Sequence, residues 1–131
     1  MTAEEIKLVK KSFSQIKDIN DFTNKFYKNL FDYDNTLKIL FKRDIATQIE
    51  MLSKTLQYAV RNLDSFSDIE SDLKELGKKH ANYGVKPEHY NTVGNMLIKT
   101  LQEQLGDAFQ ENIRKAWLNA YKNIANTMMS S

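Results

Sequence analysis

Only two histidines occur in this chain of 131 residues, and one of them stands where its imidazole can do chemistry. His80 follows Ile69, Leu73 and Leu76 at helical spacing, so all four side chains share one helix face. A histidine that continues an apolar stripe points inward, where its ring must find a hydrogen bond, a charge or a metal. The spacing alone is satisfied by a hydrogen-bonded core histidine and by a metal ligand. Tyr83 and Gly84 close this helix, and Pro87 opens the next after a short turn. Tyr90 therefore begins the following helix. His89, one position off the Tyr90 stripe, reads as a solvated surface residue.

The composition narrows what such a site can be. No cysteine is present, which removes disulfides, thiolate metal sites, Fe–S clusters and covalent c-type haem attachment. A net charge of +2, with both signs interspersed, gives no basic field for nucleic acid or an acidic membrane. Neither a signal-peptide core nor a membrane-length apolar run occurs, so a soluble, cytoplasmic protein is expected. Apolar residues make up 41% of the chain, enough for one core and one enclosed ligand.

The elements that must position His80 all read as helices. Thr2 with Glu5 forms a capping box ahead of the stripe Ile6, Val9, Phe13 and Ile16. Asp18 or Asn20 caps a second helix carrying Phe22, Phe26, Tyr27, Leu30 and Phe31 inward. A short piece, Asn35 to Phe41, needs its neighbours for stability. A long helix over about Ile45 to Leu63 turns Ile45, Ile49, Leu52, Leu56, Ala59 and Leu63 inward. Asp64 to Ser67 is a polar break, and Ser67 with Glu70 is read as a capping box for the His80 helix. After Pro87, Tyr90, Val93, Leu97, Leu101 and Leu105 form a stripe that stops near Gly106. Asp107 with Gln110 is expected to cap the last helix, whose inward residues are Ile113, Trp117, Ala120, Ile124 and Met128. The expectation is an all-α chain with about seven helices in one domain over residues 1–131. Unsustained heptads and unequal helix lengths disfavour a regular four-helix bundle. They favour irregular packing around a cavity.

Five segments, taken in order, carry a family resemblance. They are FYKNLF at Phe26–Phe31, Leu40-Phe41, Gln48 with Leu52, LGKKHANYGVKPEHYNTVG at Leu76–Gly94, and AWLNAYKNIA at Ala116–Ala125. Together they resemble the globins, specifically bacterial single-domain haemoglobins and the haem domain of flavohaemoglobins. The resemblance spans nearly the whole chain and implies a globin fold around a non-covalent haem b. It places His80 on the iron-binding position and Tyr27 over the gas-binding side. Phe41 falls on the phenylalanine stacked against the porphyrin. Gln48 falls on the distal polar residue and Leu52 on its apolar neighbour. Leu56, Leu73, Leu76, Val93 and Leu97 are then expected to line the slot, and Lys79 or Arg43 to meet a propionate at its rim. The second ring nitrogen of His80 needs an acceptor; the Leu76 carbonyl is expected, with a contribution from the Tyr90 hydroxyl. Two departures from the family pattern stand out. Asn35 replaces the usual proline of the short third helix, and the glutamate that supports the iron-binding histidine through the tyrosine at Tyr90 is not reached before Ser131.

The resemblance implies a haem protein that reversibly binds oxygen at ferrous iron, with high affinity from Tyr27 and Gln48 as hydrogen-bond donors. An alternative is a nitric-oxide dioxygenase working with a separate reductase, in which Tyr27 and Gln48 would be catalytic. A haem-based gas sensor is a second alternative. The implied partners are oxygen, nitric oxide, carbon monoxide and an external reductase, with no nucleic acid and no membrane.

Overall fold

Local capping chemistry starts the first three helices. In the computed structural model, which describes residues 1–130, Thr2 Oγ1 accepts the Glu5 N–H at 3.1 Å while Glu5 accepts the Thr2 N–H at 3.0 Å. This reciprocal pair opens α1 (Ala3–Ser14). Asp18 accepts the Asp21 N–H and opens α2 (Ile19–Tyr33), and Asp44 accepts the Thr47 N–H at 2.8 Å and opens α3 (Ile45–Arg61). The helices α4 (Glu70–Asn82), α5 (Pro87–Leu105) and α6 (Glu111–Met129) follow. Three 3-10 segments, Asn35–Leu40, Leu63–Asp68 and Gly106–Ala108, join them. Among the described residues there is no strand, and no helix is long and apolar enough to cross a membrane. The all-α expectation holds.

Punctuation falls where glycine and proline put it. Gly84 after α4 and Gly106 after α5 take φ of +94° and +55°, and Pro87 sits in the first turn of α5. Asn35 in place of proline is accommodated because Asp34 caps the 3-10 segment, accepting the Thr36 N–H at 3.0 Å.

Two expected caps do not form. Ser67 lies inside the 3-10 segment, so α4 begins after Ile69 with no side-chain cap. Ile69 is 2% exposed, and burying it fixes the chain path there more strongly than an exposed hydroxyl could. Likewise Asp107 lies within its 3-10 segment, Phe109 is driven into the core, and α6 begins after Gln110 without a side-chain cap. Two apolar expectations also shift: Ile45 is half exposed at the first residue of α3, and Ile16 packs from beyond the end of α1.

Packing divides the interior in two. The larger cluster joins α1, α2, α3, α5 and α6 through Val9, Phe22, Phe26, Val60, Leu101 and Trp117. The smaller gathers Ile69, Leu73 and Met128, with Tyr58, Phe66, Leu76, Tyr90 and Ile124 against them. Helix α4 belongs to the smaller cluster and lies along α6, whereas α3 lies along α2. Gly77 makes the α4–α6 approach possible: a Cβ there would stand 1.9 Å from the Met128 carbonyl oxygen.

Candidate functional site

The singled-out residues divide between the two clusters, which makes the seam between the clusters the candidate site. Phe41, Leu52, Leu56 and Val93 are half-buried on the flank of the larger cluster, and Leu76 and Tyr90 are half-buried on the smaller. Helices α3 and α4 meet where the Tyr58 hydroxyl donates to Asp72 at 2.7 Å. Beyond that junction each packs on a different partner. Half-buried apolar side chains retain hydrophobic free energy to be gained by covering them, about 25 cal/mol per Å².

His80 is near the end of α4, half-buried. Its Nδ1 is 2.8 Å from the Leu76 carbonyl oxygen. A carbonyl only accepts, so Nδ1 carries the hydrogen and the neutral ring presents the Nε2 lone pair. That is the tautomer a metal ligand requires. Tyr90 lies beside the ring, with centroids 6.5 Å apart and planes 34° apart, but no hydrogen bond joins its hydroxyl to His80. The expected Tyr90 contribution to fixing the tautomer is therefore absent, because the Leu76 carbonyl already serves. Among the described residues no group of three His, Asp or Glu is gathered to hold a bare cation. A metal at His80 would have to arrive with most of its ligands already attached, which fits a porphyrin and not a free ion.

In the larger cluster, Tyr27 is 4% exposed within a set of aromatic rings. Its ring centroid is 5.4 Å from Phe26, 5.8 Å from Phe31 and 5.4 Å from Phe41, the last contact edge-on. Burial pushes the Tyr27 hydroxyl well above the usual tyrosine range, so it stays a proton donor throughout the physiological range. Its acceptor in the structure is the Gln48 carbonyl oxygen at 3.5 Å, a long contact that leaves the hydroxyl available to a better acceptor. The Gln48 side chain is half-buried and makes no hydrogen bond among the described residues.

Other expected residues are placed differently. Leu73 and Leu97 are 3% and 6% exposed and belong to packed clusters, which makes them supports behind the seam. Lys79 and Arg43 are exposed, as a rim position requires. His89, read as a free surface residue, accepts the Lys86 N–H on Nδ1 at 2.8 Å and so helps to start α5. Surface grooves along the outer side of α4 (Ser67, Glu70, Lys74, Lys78) and between α2 and α3 contain none of the residues expected to hold haem or gas.

Sequence reasoning missed the support under Tyr90. The Tyr121 hydroxyl, raised by burial above its ordinary range, donates to the Tyr90 carbonyl at 2.6 Å. The Tyr121 ring lies so close to Gly94 that a Cβ there would be 2.7 Å from it. Glycines in the middle of helical stripes, at 77 and 94, were the available signal of close approach.

Comparison with known proteins agrees with this architecture. The globin family model matches residues 24–128. A flavohemoprotein of Bacillus subtilis is 34% identical over 110 residues, covering 82% of this chain and 28% of that protein. A neuroglobin of Tetraodon nigroviridis is 34% identical over 104 residues, covering 76% of this chain and 65% of that protein. The chain spans less than a third of the length of the flavohemoproteins it matches. Among solved structures, a bacterial globin from Campylobacter jejuni superposes with a TM-score of 0.85 at 31% identity, covering 98% of this chain and 94% of the other. The globin model extends over most of the chain, and the likeness in structure runs almost end to end: this protein belongs to the globin family.

Proposed function

We propose that this chain binds haem b non-covalently in the seam and uses it to take up and release oxygen reversibly. The observation that carries this reading is His80, whose Nδ1 is committed to the Leu76 carbonyl beside the Tyr90 ring, which leaves Nε2 for a ligand. Haem supplies the iron at which a diatomic gas binds. His80 anchors it, Phe41, Leu52, Leu56, Leu76 and Val93 give its faces apolar cover, and Lys79 or Arg43 meets a propionate. Tyr27 and Gln48 add polar selectivity. A hydrogen bond to an acceptor carrying negative charge contributes about 1.5–3 kcal/mol, and oxygen acquires such charge more than carbon monoxide does.

The test is reconstitution with haem followed by absorption spectroscopy. The protein should develop an intense Soret band with one equivalent of haem. His80→Gly should lose the imidazole-ligated spectrum and regain it with added imidazole. An unchanged spectrum in His80→Gly would remove His80 as the ligand.

The flavohemoprotein relatives motivate a second reading, a nitric-oxide dioxygenase that draws electrons from a separate reductase. Tyr27 and Gln48 would keep the same donor roles. Repeated turnover would then depend on an added reductase.

A further inference from the structure

Helices α2 and α3 are joined by two polar rungs of unequal quality. One is the long contact from the Tyr27 hydroxyl to the Gln48 carbonyl, 3.5 Å. The other is a short one, 2.8 Å from Ser53 Oγ to Thr23 Oγ1, and it is shut away from solvent: Thr23 is 0% and Ser53 2% exposed. Thr23 passes its own hydrogen to the Ile19 carbonyl at 2.9 Å. The relay therefore runs one way, from Ser53 to Thr23 to the α2 backbone, and Thr23 is the acceptor for the Ser53 proton. Thr23 precedes Tyr27 by one turn on α2, and Ser53 follows Gln48 by five residues on α3. The rungs are thus spaced about 6 Å apart on one helix and about 7.5 Å on the other.

We propose that the Thr23–Ser53 pair is a register pin that sets how far the Tyr27 hydroxyl reaches over the gas-binding side. A buried hydroxyl without a partner is costly, so the two helices resist any slide that would separate this pair. The Tyr27–Gln48 rung is too long to resist the same slide. The position of the Tyr27 donor is therefore inherited from a contact one turn away that touches neither haem nor gas. Thr23 and Ser53 are positioning residues, and the proposal rests on the oxygen-binding reading above.

The experiment uses the haem-loaded protein and five variants: Thr23→Val, Ser53→Ala, Thr23→Ser, Tyr27→Phe, and Thr23→Val combined with Tyr27→Phe. Three quantities are measured, the last wherever Tyr27 is retained: the oxygen dissociation rate, the C–O stretching frequency of the carbon-monoxide form, and the Tyr27 ring resonances of that diamagnetic form. Thr23→Val, which deletes the hydroxyl and keeps the side-chain shape, should raise the oxygen dissociation rate by about three- to ten-fold. It should also shift the C–O stretch and move the Tyr27 resonances. Thr23→Ser should bring all three back toward the parent values. In the Tyr27→Phe background the Thr23→Val change should have no further effect on the rate or the stretch. Ser53→Ala asks the same question from the other helix should Thr23→Val fail to fold. Unchanged rates and stretches in Thr23→Val and Ser53→Ala, beside a clear effect of Tyr27→Phe, would overturn the pin and leave the oxygen reading standing. A Thr23→Val effect that persists without the Tyr27 hydroxyl would overturn it too. No effect of Tyr27→Phe would remove the oxygen reading and the pin with it.

Discussion

Replacing Gly77 by alanine should destabilise this protein, although the same exchange in an ordinary helix interior stabilises by about 0.5–1 kcal/mol. The sign therefore decides the argument. At this position the new Cβ would stand 1.9 Å from the Met128 carbonyl oxygen, 2.6 Å from its carbon and 2.8 Å from its Cα. All three are backbone atoms of α6, which no rotamer change can move aside. Reaching ordinary contact requires the Met128 carbonyl and the new Cβ to separate by about 1.5 Å more, and tightly packed interiors resist such a step. Overpacking costs about 1–3 kcal/mol, and the rigidity of the opposing backbone argues for the upper end. For a domain of this size that is a fall in melting temperature of about 10 °C, read by thermal or urea denaturation of the haem-loaded protein. A second readout follows from position. His80 lies three residues beyond Gly77 on α4, so the displaced helix should also release haem faster to excess apomyoglobin. Gly106→Ala is the contrasting control. Nothing lies within 4 Å of its would-be Cβ, so the cost there, about 1–3 kcal/mol, comes from its own strained backbone (φ +55°, ψ −130°) and should leave haem release unchanged. A Gly77→Ala protein as stable as the parent, or more so, would refute the close-approach reasoning.

Other perturbations test other parts of the structure. Tyr121→Phe keeps the ring against Gly94 but deletes the bond to the Tyr90 carbonyl, so stability should fall by about 1 kcal/mol in urea denaturation. Asp44 holds its carboxyl below the ordinary range through hydrogen bonds from Thr47. A lowered folded-state value means a stabilising contribution that is complete above the unfolded pKa and is lost as pH falls through the folded one. Asp44→Ala should therefore lower stability at neutral pH and flatten its decline below about pH 4, measured as denaturation midpoints across pH. The isolated 131-residue chain in its oxygen-loaded form should consume nitric oxide once with reduced nicotinamide alone; many turnovers without added reductase, followed by nitric-oxide electrode, would contradict this.

Features fixed by neighbours in sequence were legible, and those fixed by distant partners were not. The Thr2–Glu5 box, the Asp18 cap, the Gly84 and Gly106 stops and Pro87 each act within four residues, and each is found as expected. The inward face of α4 was legible from period alone, with Ile69 and Leu73 buried and Leu76 and His80 half-buried. Misplaced caps at Ser67 and Asp107 show the limit of local rules. There the burial of Ile69 and Phe109 decides the path, and burial is a property of the whole fold. Tyr121 on Tyr90, Trp117 on Ser12 and Ser53 on Thr23 join positions 31, 105 and 30 residues apart, which no window of periodicity spans. Tyr27 and Gln48 carry no local mark that separates them from an ordinary core tyrosine and an exposed glutamine. Only their resemblance to other globins drew them together.

The Tyr58–Asp72 bond has a mechanical consequence. It clamps α3 to α4 at a fulcrum on the protein surface, and His80 rides eight residues farther along α4, a lever arm of about 12 Å. A rocking of only about 5° at the fulcrum would carry the imidazole by about 1 Å, already beyond the roughly 0.5 Å tolerance of a ligand site. The stiffness demanded at His80 must therefore be supplied elsewhere along the lever, and the rigid bearing is the bare backbone contact of Gly77 on Met128. Wear at the solvent-exposed end, such as loss of one phenolic hydroxyl, would be magnified before it reached the imidazole.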